Sequence, residues 1–222
     1  MTIDNENLLE SILASLERIK YIEPEDIPNI DLYMDQVTGF MDKRLKATTR
    51  HTGEDRILTK TMINNYAKND LIPPPVKKKY SKEHIIILIF IYYFKGILSI
   101  GDIQKLLSPI TEKYFKTDEE FDLENIYREA ISIEKAQLDG FKEDVIHKFR
   151  EAEQSFADAP EEGKDFLKKF AFICMLSYDV YVKKLMIEKM IDELSDSVSK
   201  PNGKARDGKK NDSKSDAEKL KK

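Results

Sequence analysis

One predicted helix presents side chains that could bind nucleic acid on a single face. Thr59 is a good N-cap, and the residues after it, KTMINNYAKND, have helical spacing. Lysine can pair with phosphate, and asparagine can hydrogen-bond to adenine edges in a major groove. The face opposite the apolar residues carries five such polar side chains: Lys60, Thr61, Asn64, Asn65 and Lys68. A merely solvated helix face is the alternative interpretation.

A second candidate binding element follows directly in the segment LIPPPVKKKY. Three consecutive prolines cannot donate ladder hydrogen bonds, so we expect at most a short two-stranded ribbon here. Lys77, Lys78 and Lys79 then form a compact cationic tip. A stiff tip loses little entropy when it docks, and we predict that these lysines hold phosphate.

Charge is distributed unevenly along the 222 residues, whose net charge is -4. Residues 1–40 carry two basic and nine acidic side chains, whereas residues 41–80 carry ten basic and four acidic ones. This contrast indicates an anionic partner for the second segment only. A solvated basic surface would produce the same composition, so charge alone does not decide.

Helical periodicity dominates the chain, which predicts an all-α fold with one small hairpin. Pro24 and Pro28 end a first helix, and Asp31 is the expected N-cap of the second. A polar loop is expected over 46–55. Ser81 should cap a helix that ends near 95, and Ser99 should cap a short helix that ends near 107.

Three further helices are expected over 121–138, 141–156 and 166–194, with a break at Asp139 and Gly140. We divide the chain into an N-terminal helix and linker (1–30), a DNA-contacting domain (31–116), a helical dimerisation or sensing domain (117–195) and a charged tail (196–222). The tail has almost no apolar residues, which predicts disorder.

Two apolar segments need a partner surface. Residues 85–94, IIILIFIYYF, are too few to span a bilayer, which takes about 20. We therefore predict a buried helix that lies centrally between two layers of the protein or at a dimer contact. The last helix carries an apolar stripe, for which core packing is the leading interpretation and an intersubunit contact or a ligand pocket the alternatives. The stripe consists of Phe166, Phe170, Ile173, Cys174, Tyr181, Leu185 and Met190. Cys174, the single cysteine, is expected to be a buried, inert thiol.

The order of these motifs resembles the MerR-type winged helix-turn-helix. In that family a capped recognition helix with an aromatic residue near its end leads into Leu-Leu-Pro-Pro, a basic wing, a Tyr-Ser helix entry and a final Leu-Ser-Ile signature. The matching residues here are Tyr66, Leu71 to Pro74, Lys77 to Lys79, Tyr80-Ser81 and Leu98 to Ile100. The loop before Ile57 is longer than the MerR turn. With IDLYMDQVTGF upstream and the helical C-terminal half, the whole chain resembles the bacterial domain of unknown function 1836 family.

The resemblance implies a sequence-specific DNA-binding transcriptional regulator, with double-stranded DNA as partner and homodimerisation compatible with the long helices. A protein-interaction adaptor and a small-molecule sensor, with a pocket near Tyr178 and Tyr181, are the alternatives.

No catalytic constellation is recognisable, and His51, His84 and His147 lack metal-ligand spacing. We therefore expect no enzyme, no cofactor, no metal and no membrane association. No signal peptide opens the chain, so a cytoplasmic location is expected, and the effector is left open.

Overall fold

The structure, a computed structural model, describes residues 5–17, 21–49 and 57–199. Within these ranges the chain is mostly helical, with one small sheet, which confirms the predicted class. The helices are α1 (Asn5–Glu17), α2 (Met34–Leu45), α3 (Lys60–Lys68), α4 (Lys82–Phe94), α5 (Ile100–Tyr114), α6 (Leu123–Gln154) and α7 (Glu161–Ser199), and the strands are β1 (Leu32–Tyr33) and β2 (Lys79–Tyr80). Short 3₁₀ turns lie at Pro24–Asp26 and Lys46–Thr48.

The sheet joins the chain before α2 to the chain before α4. Leu32 lies opposite Tyr80, and Tyr33 lies opposite Lys79, in an antiparallel pair. On its other side Lys79 bridges to Val76, so the ribbon expected after the prolines is present. The expected N-cap at Asp31 was wrong. Because Leu32 and Tyr33 are extended and paired with β2, α2 is capped by Tyr33 and begins at Met34.

The described residues form two hydrophobic cores. The apolar helix α4 lies at the centre of the larger one, which we call the first core, as predicted. The residues from Ile85 to Ile89, together with Ile91, are buried on all sides of the helix. The helix packs against β2, α5 and α6, which cover those sides. None of the helices in the described ranges has the length and apolar character needed to cross a membrane.

Helix α6 connects the first core to a second, smaller one. Its first half places Leu123, Tyr127 and Ile131 in the core around α4, so this core continues past residue 116. Its second half packs Val145, Phe149 and Ala152 against α1 and α7. The break expected at Asp139 and Gly140 was wrong, because α6 runs through both residues. A glycine costs a helix only about 1 kcal/mol, and packing at both ends of α6 outweighs that cost.

Helices α5 and α7 are both longer than predicted. Helix α5 continues to Tyr114 instead of ending near 107, and α7 continues to Ser199, with non-helical backbone at Glu162 and Gly163. The predicted tail beyond 199 lies outside the described residues.

The core interpretation of the α7 stripe was wrong, since its apolar side chains from Phe166 to Met190 are exposed. Cys174 is exposed as well, because α7 packs on α6 through its other side, where Phe172 is buried.

Candidate nucleic-acid interface

Both ends of α3 are fixed by local hydrogen bonds. Thr59 Oγ1 accepts a hydrogen bond from the Met62 backbone N–H at 3.1 Å, which confirms Thr59 as the N-cap. At the other end Asp70 has a positive φ of 55°, and the Leu71 N–H donates to the Tyr66 carbonyl at 2.9 Å. This reversal terminates the helix and turns the chain toward the proline segment.

The predicted binding face of α3 points away from the core. Ile63 and Tyr66 are buried on the opposite side of the helix. All five predicted contact residues are exposed: Lys60, Thr61, Asn64, Asn65 and Lys68. The division of the two faces follows directly from the helical spacing of apolar residues, because the packing of Ile63 and Tyr66 determines which side faces solvent.

Two long-range contacts hold α3 against the rest of the chain. Before the helix, Ile57 and Leu58 are buried, and Lys95 Nζ donates to the Ile57 carbonyl at 2.6 Å. Burial lowers the pKa of this lysine. After the helix, Gln104 Nε2 of α5 donates to the Asn69 carbonyl at 3.2 Å. Contacts with α5 and with the residue that follows α4 therefore help to orient α3, and residues 50–56 lie outside the described ranges.

The lysine tip after the prolines is a tight turn with unusual backbone geometry. Lys77 and Lys78 have positive φ angles of 50° and 64°, and the Lys79 N–H donates to the Val76 carbonyl at 2.9 Å. Two successive positive φ angles are the signature of a type I′ hairpin turn, which normally uses asparagine and glycine. Both lysine side chains are exposed at the tip. A left-handed conformation costs a non-glycine residue about 1 kcal/mol or more, so this tip is strained.

Lys79 differs from its two neighbours. Its ammonium lies over the ring of Tyr33, with Nζ 5.2 Å from the ring centroid. Lys79 is half-buried, because β2 pairs with β1 at this position. The three lysines predicted to act alike thus comprise two exposed cations at the turn and one cation held on an aromatic ring.

The start of α2 lies between the two candidate elements. Asp35, in the first turn of α2, forms an ion pair with Lys60 of α3. Tyr33, two residues earlier, contacts Lys79 of β2. Neither Tyr33 nor Asp35 was predicted to belong to the site. The sequence held one signal for this role: Tyr33 and Asp35 are two positions apart, so a single short segment can reach both lysines.

Part of the basic excess in residues 41–80 is used elsewhere. Arg44 pairs with Asp26 at 3.1 Å, and its guanidinium lies 5.8 Å from the centroid of the Phe40 ring. This pair links α2 to the turn at Pro24–Asp26. Arg50 and Arg56 lie outside the described residues. The exposed lysines of this region therefore include Lys60, Lys68, Lys77 and Lys78.

His84 and His147, the two histidines among the described residues, do not form a common site. His84 is buried at the start of α4, where its Nδ1 accepts a hydrogen bond from the Ser81 N–H at 3.0 Å. His147 is exposed on α6, and His51 lies outside the described ranges. In the part of the chain that the structure describes, no group of three or more histidine, cysteine, aspartate or glutamate side chains could hold a metal ion.

Comparison with known proteins gives one match. Residues 22–130 match the model of a family described as Domain of unknown function (DUF1836). Neither a curated protein nor a solved structure matches the chain. The matched segment corresponds closely to the first core, which runs from Ile22 to Ile131 with the single addition of Ile191. Helix α1 and the pairing of α6 with α7 lie outside the match.

Proposed function

We propose that residues 22–130, the segment that matches the DUF1836 family model, include a MerR-like winged helix-turn-helix. The support is the order and pairing of elements. Strand β1 leads into α2, α3 follows, and the chain returns through a tight turn to β2, which pairs with β1. In a helix-turn-helix the second helix enters the major groove, and here that helix is α3.

We propose further that this domain binds double-stranded DNA in a sequence-specific manner and regulates transcription. The observation that carries the proposal is the outward face of α3. Asn64 and Asn65 are exposed one turn after the N-cap, with Lys60 and Lys68 at the two ends of the helix. Asparagine amides can read adenine edges, while the lysines hold phosphates on either side.

The strained turn supports the same proposal. Lys77 and Lys78 occupy positions where asparagine and glycine would be more stable, so these two cations stand in the turn at an energetic cost. Functional sites are where such strain is commonly found. A wing that presents two lysines on a rigid turn would hold the DNA backbone beside the groove occupied by α3.

Binding can be tested without a known operator. Selection from a random duplex library, followed by fluorescence anisotropy on the enriched sequence, would measure affinity and specificity with the full chain. The Asn64→Ala and Asn65→Ala variants should each lose about 1–3 kcal/mol of discrimination against the wrong base. Binding to scrambled duplex should be unchanged in these two variants.

The salt dependence separates the role of the turn from that of the helix. The Lys77→Ala, Lys78→Ala double variant should reduce the slope of log K against log salt by about 1.8, since each phosphate contact contributes about 0.9. Lys189→Ala, which removes an exposed lysine from α7, is the matched control and should leave the slope unchanged. If no duplex is enriched and the chain binds no DNA at low salt, the proposal is wrong, and capture of a stoichiometric protein partner would favour an adaptor.

A further inference from the structure

Helix α7 has an apolar face that no described residue covers. Phe166, Phe170, Ile173, Tyr178, Tyr181 and Leu185 recur at helical spacing, and each is between 48% and 69% exposed. The residues from Phe170 to Tyr178 include no charged side chain, and exposed Cys174 lies within this stretch. We call these six residues and Cys174 the α7 face. The opposite side of α7 packs on α6 through Phe172.

The α7 face is large enough for a stable protein interface. At about 200 Å² for a fully exposed aromatic side chain, its four aromatics alone offer roughly 500 Å². Ile173, Leu185 and the neighbouring Val180 are also about half exposed. Together they approach the roughly 800 Å² that each partner buries in a standard protein interface. Apolar patches on soluble monomers rarely exceed about 600 Å², so exposure of this whole face to water would be unusual.

Two other occupants fit the face poorly. The residues that follow α7, 200–222, contain only one large apolar residue, Leu220, and cannot fill a face of this size. A lipid surface would select a helix whose polar side is rich in lysine and arginine. Residues 161–194 instead carry seven acidic and six basic side chains, so their charge does not favour anionic lipid.

We propose that the α7 faces of two copies of this chain pack together to form a homodimer. A two-fold axis brings the same residues of both copies together, so one largely aromatic face serves both partners. Cys174 becomes buried in that interface. The proposal rests on the exposed face of α7 and stands whether or not the chain binds DNA.

The mass of the full chain in solution, measured without DNA, tests the proposal. Sedimentation equilibrium should give twice the chain mass of 25.8 kDa, with dissociation on dilution. The Phe170→Glu, Tyr181→Glu double variant should sediment as a monomer with unchanged helical circular dichroism, because both side chains are exposed in the single chain. Ile133→Glu is the matched control: Ile133 is 55% exposed but lies on α6, so this variant should stay dimeric.

Cys174 provides an independent measurement, since it is the chain's single cysteine. Its labelling by a maleimide should slow as protein concentration rises, and this dependence should disappear in the Phe170→Glu, Tyr181→Glu variant. A wild-type chain that remains monomeric at about 100 μM, or a dimer that survives the double substitution, would overturn the proposal. A monomer that binds phosphatidylglycerol vesicles through α7 would overturn it in favour of a lipid surface.

Discussion

Lys60 of α3 forms an ion pair with Asp35 in the first turn of α2. Both side chains are largely exposed, so the pair contributes little to folding stability. The position of this ion pair also affects the proposed binding of DNA. The pair joins α3 to α2 at the surface that we propose for DNA, where the carboxylate competes with phosphate for the Lys60 ammonium.

Removal of the Asp35 charge should strengthen DNA binding. Asp35→Asn frees Lys60 and removes a repulsive charge, and we expect a gain of about 0.5–1 kcal/mol, or roughly two- to fivefold in Kd. Fluorescence anisotropy at low salt is the measurement. Asp192→Asn, which breaks a comparable exposed pair with Lys105, should change nothing. Weaker binding by Asp35→Asn would show that the ion pair orients Lys60 instead of masking it.

Relief of the strained turn should stabilise the protein and weaken DNA binding at the same time. Glycine adopts positive φ freely, so Lys78→Gly should raise the free energy of unfolding by about 1 kcal/mol. The same substitution inside α3, Lys68→Gly, should lower it by about 1 kcal/mol. Urea unfolding compares the two variants. Equal destabilisation by both would contradict the strain that we assign to the turn.

Burial of His84 should make stability depend on pH. Burial lowers the pKa of this imidazole most, and the nearby Lys116 charge lowers it further. Glu83 and the carbonyls of Pro73 and Pro74 raise the pKa by smaller amounts. Because the folded state then binds a proton less readily than the unfolded state, stability is fully present above the unfolded pKa of about 6.5 and falls as pH drops below it.

The variant His84→Gln isolates this effect. Glutamine at the third helical position can still accept the Ser81 N–H hydrogen bond, so the cap is retained without a titrating group. Urea unfolding at pH 7.5 and 5.5 should show a smaller loss of stability for His84→Gln than for the wild type. His147→Gln, at an exposed position, should behave as the wild type does. An identical pH dependence in all three proteins would rule out His84 as its source.

The helices of the first core were largely predictable from local signals. The hydroxyl of Thr59 and the apolar spacing of Ile63 and Tyr66 specify α3 and its exposed face. The ten apolar residues that end at Phe94, preceded by a cap at Ser81, were predicted to form a buried helix, and α4 is that helix. These predictions succeeded because caps and periodicity act within a few residues of the chain.

Other features depended on partners far away in sequence. Asp31 has the chemistry of an N-cap, but pairing of Leu32 with Tyr80 moved the start of α2 to Met34. Gly140 suggested a break, yet α6 continues because two different cores hold its halves. Neither outcome can be read from the local residues, since the competing interaction lies elsewhere in the chain.

The sequence by itself determined that this protein is mostly helical, that residues 60–68 form a capped amphipathic helix and that lysines follow its proline-rich exit. Tertiary structure decided which charges remain free, because only the fold brings Asp35 to Lys60 and Tyr33 to Lys79. Tertiary structure also decided that the apolar stripe of α7 stays exposed instead of entering a core. A periodic pattern shows that one side of a helix avoids water, but only packing shows that α7 meets α6 through Phe172 and leaves Phe170 and Tyr181 exposed.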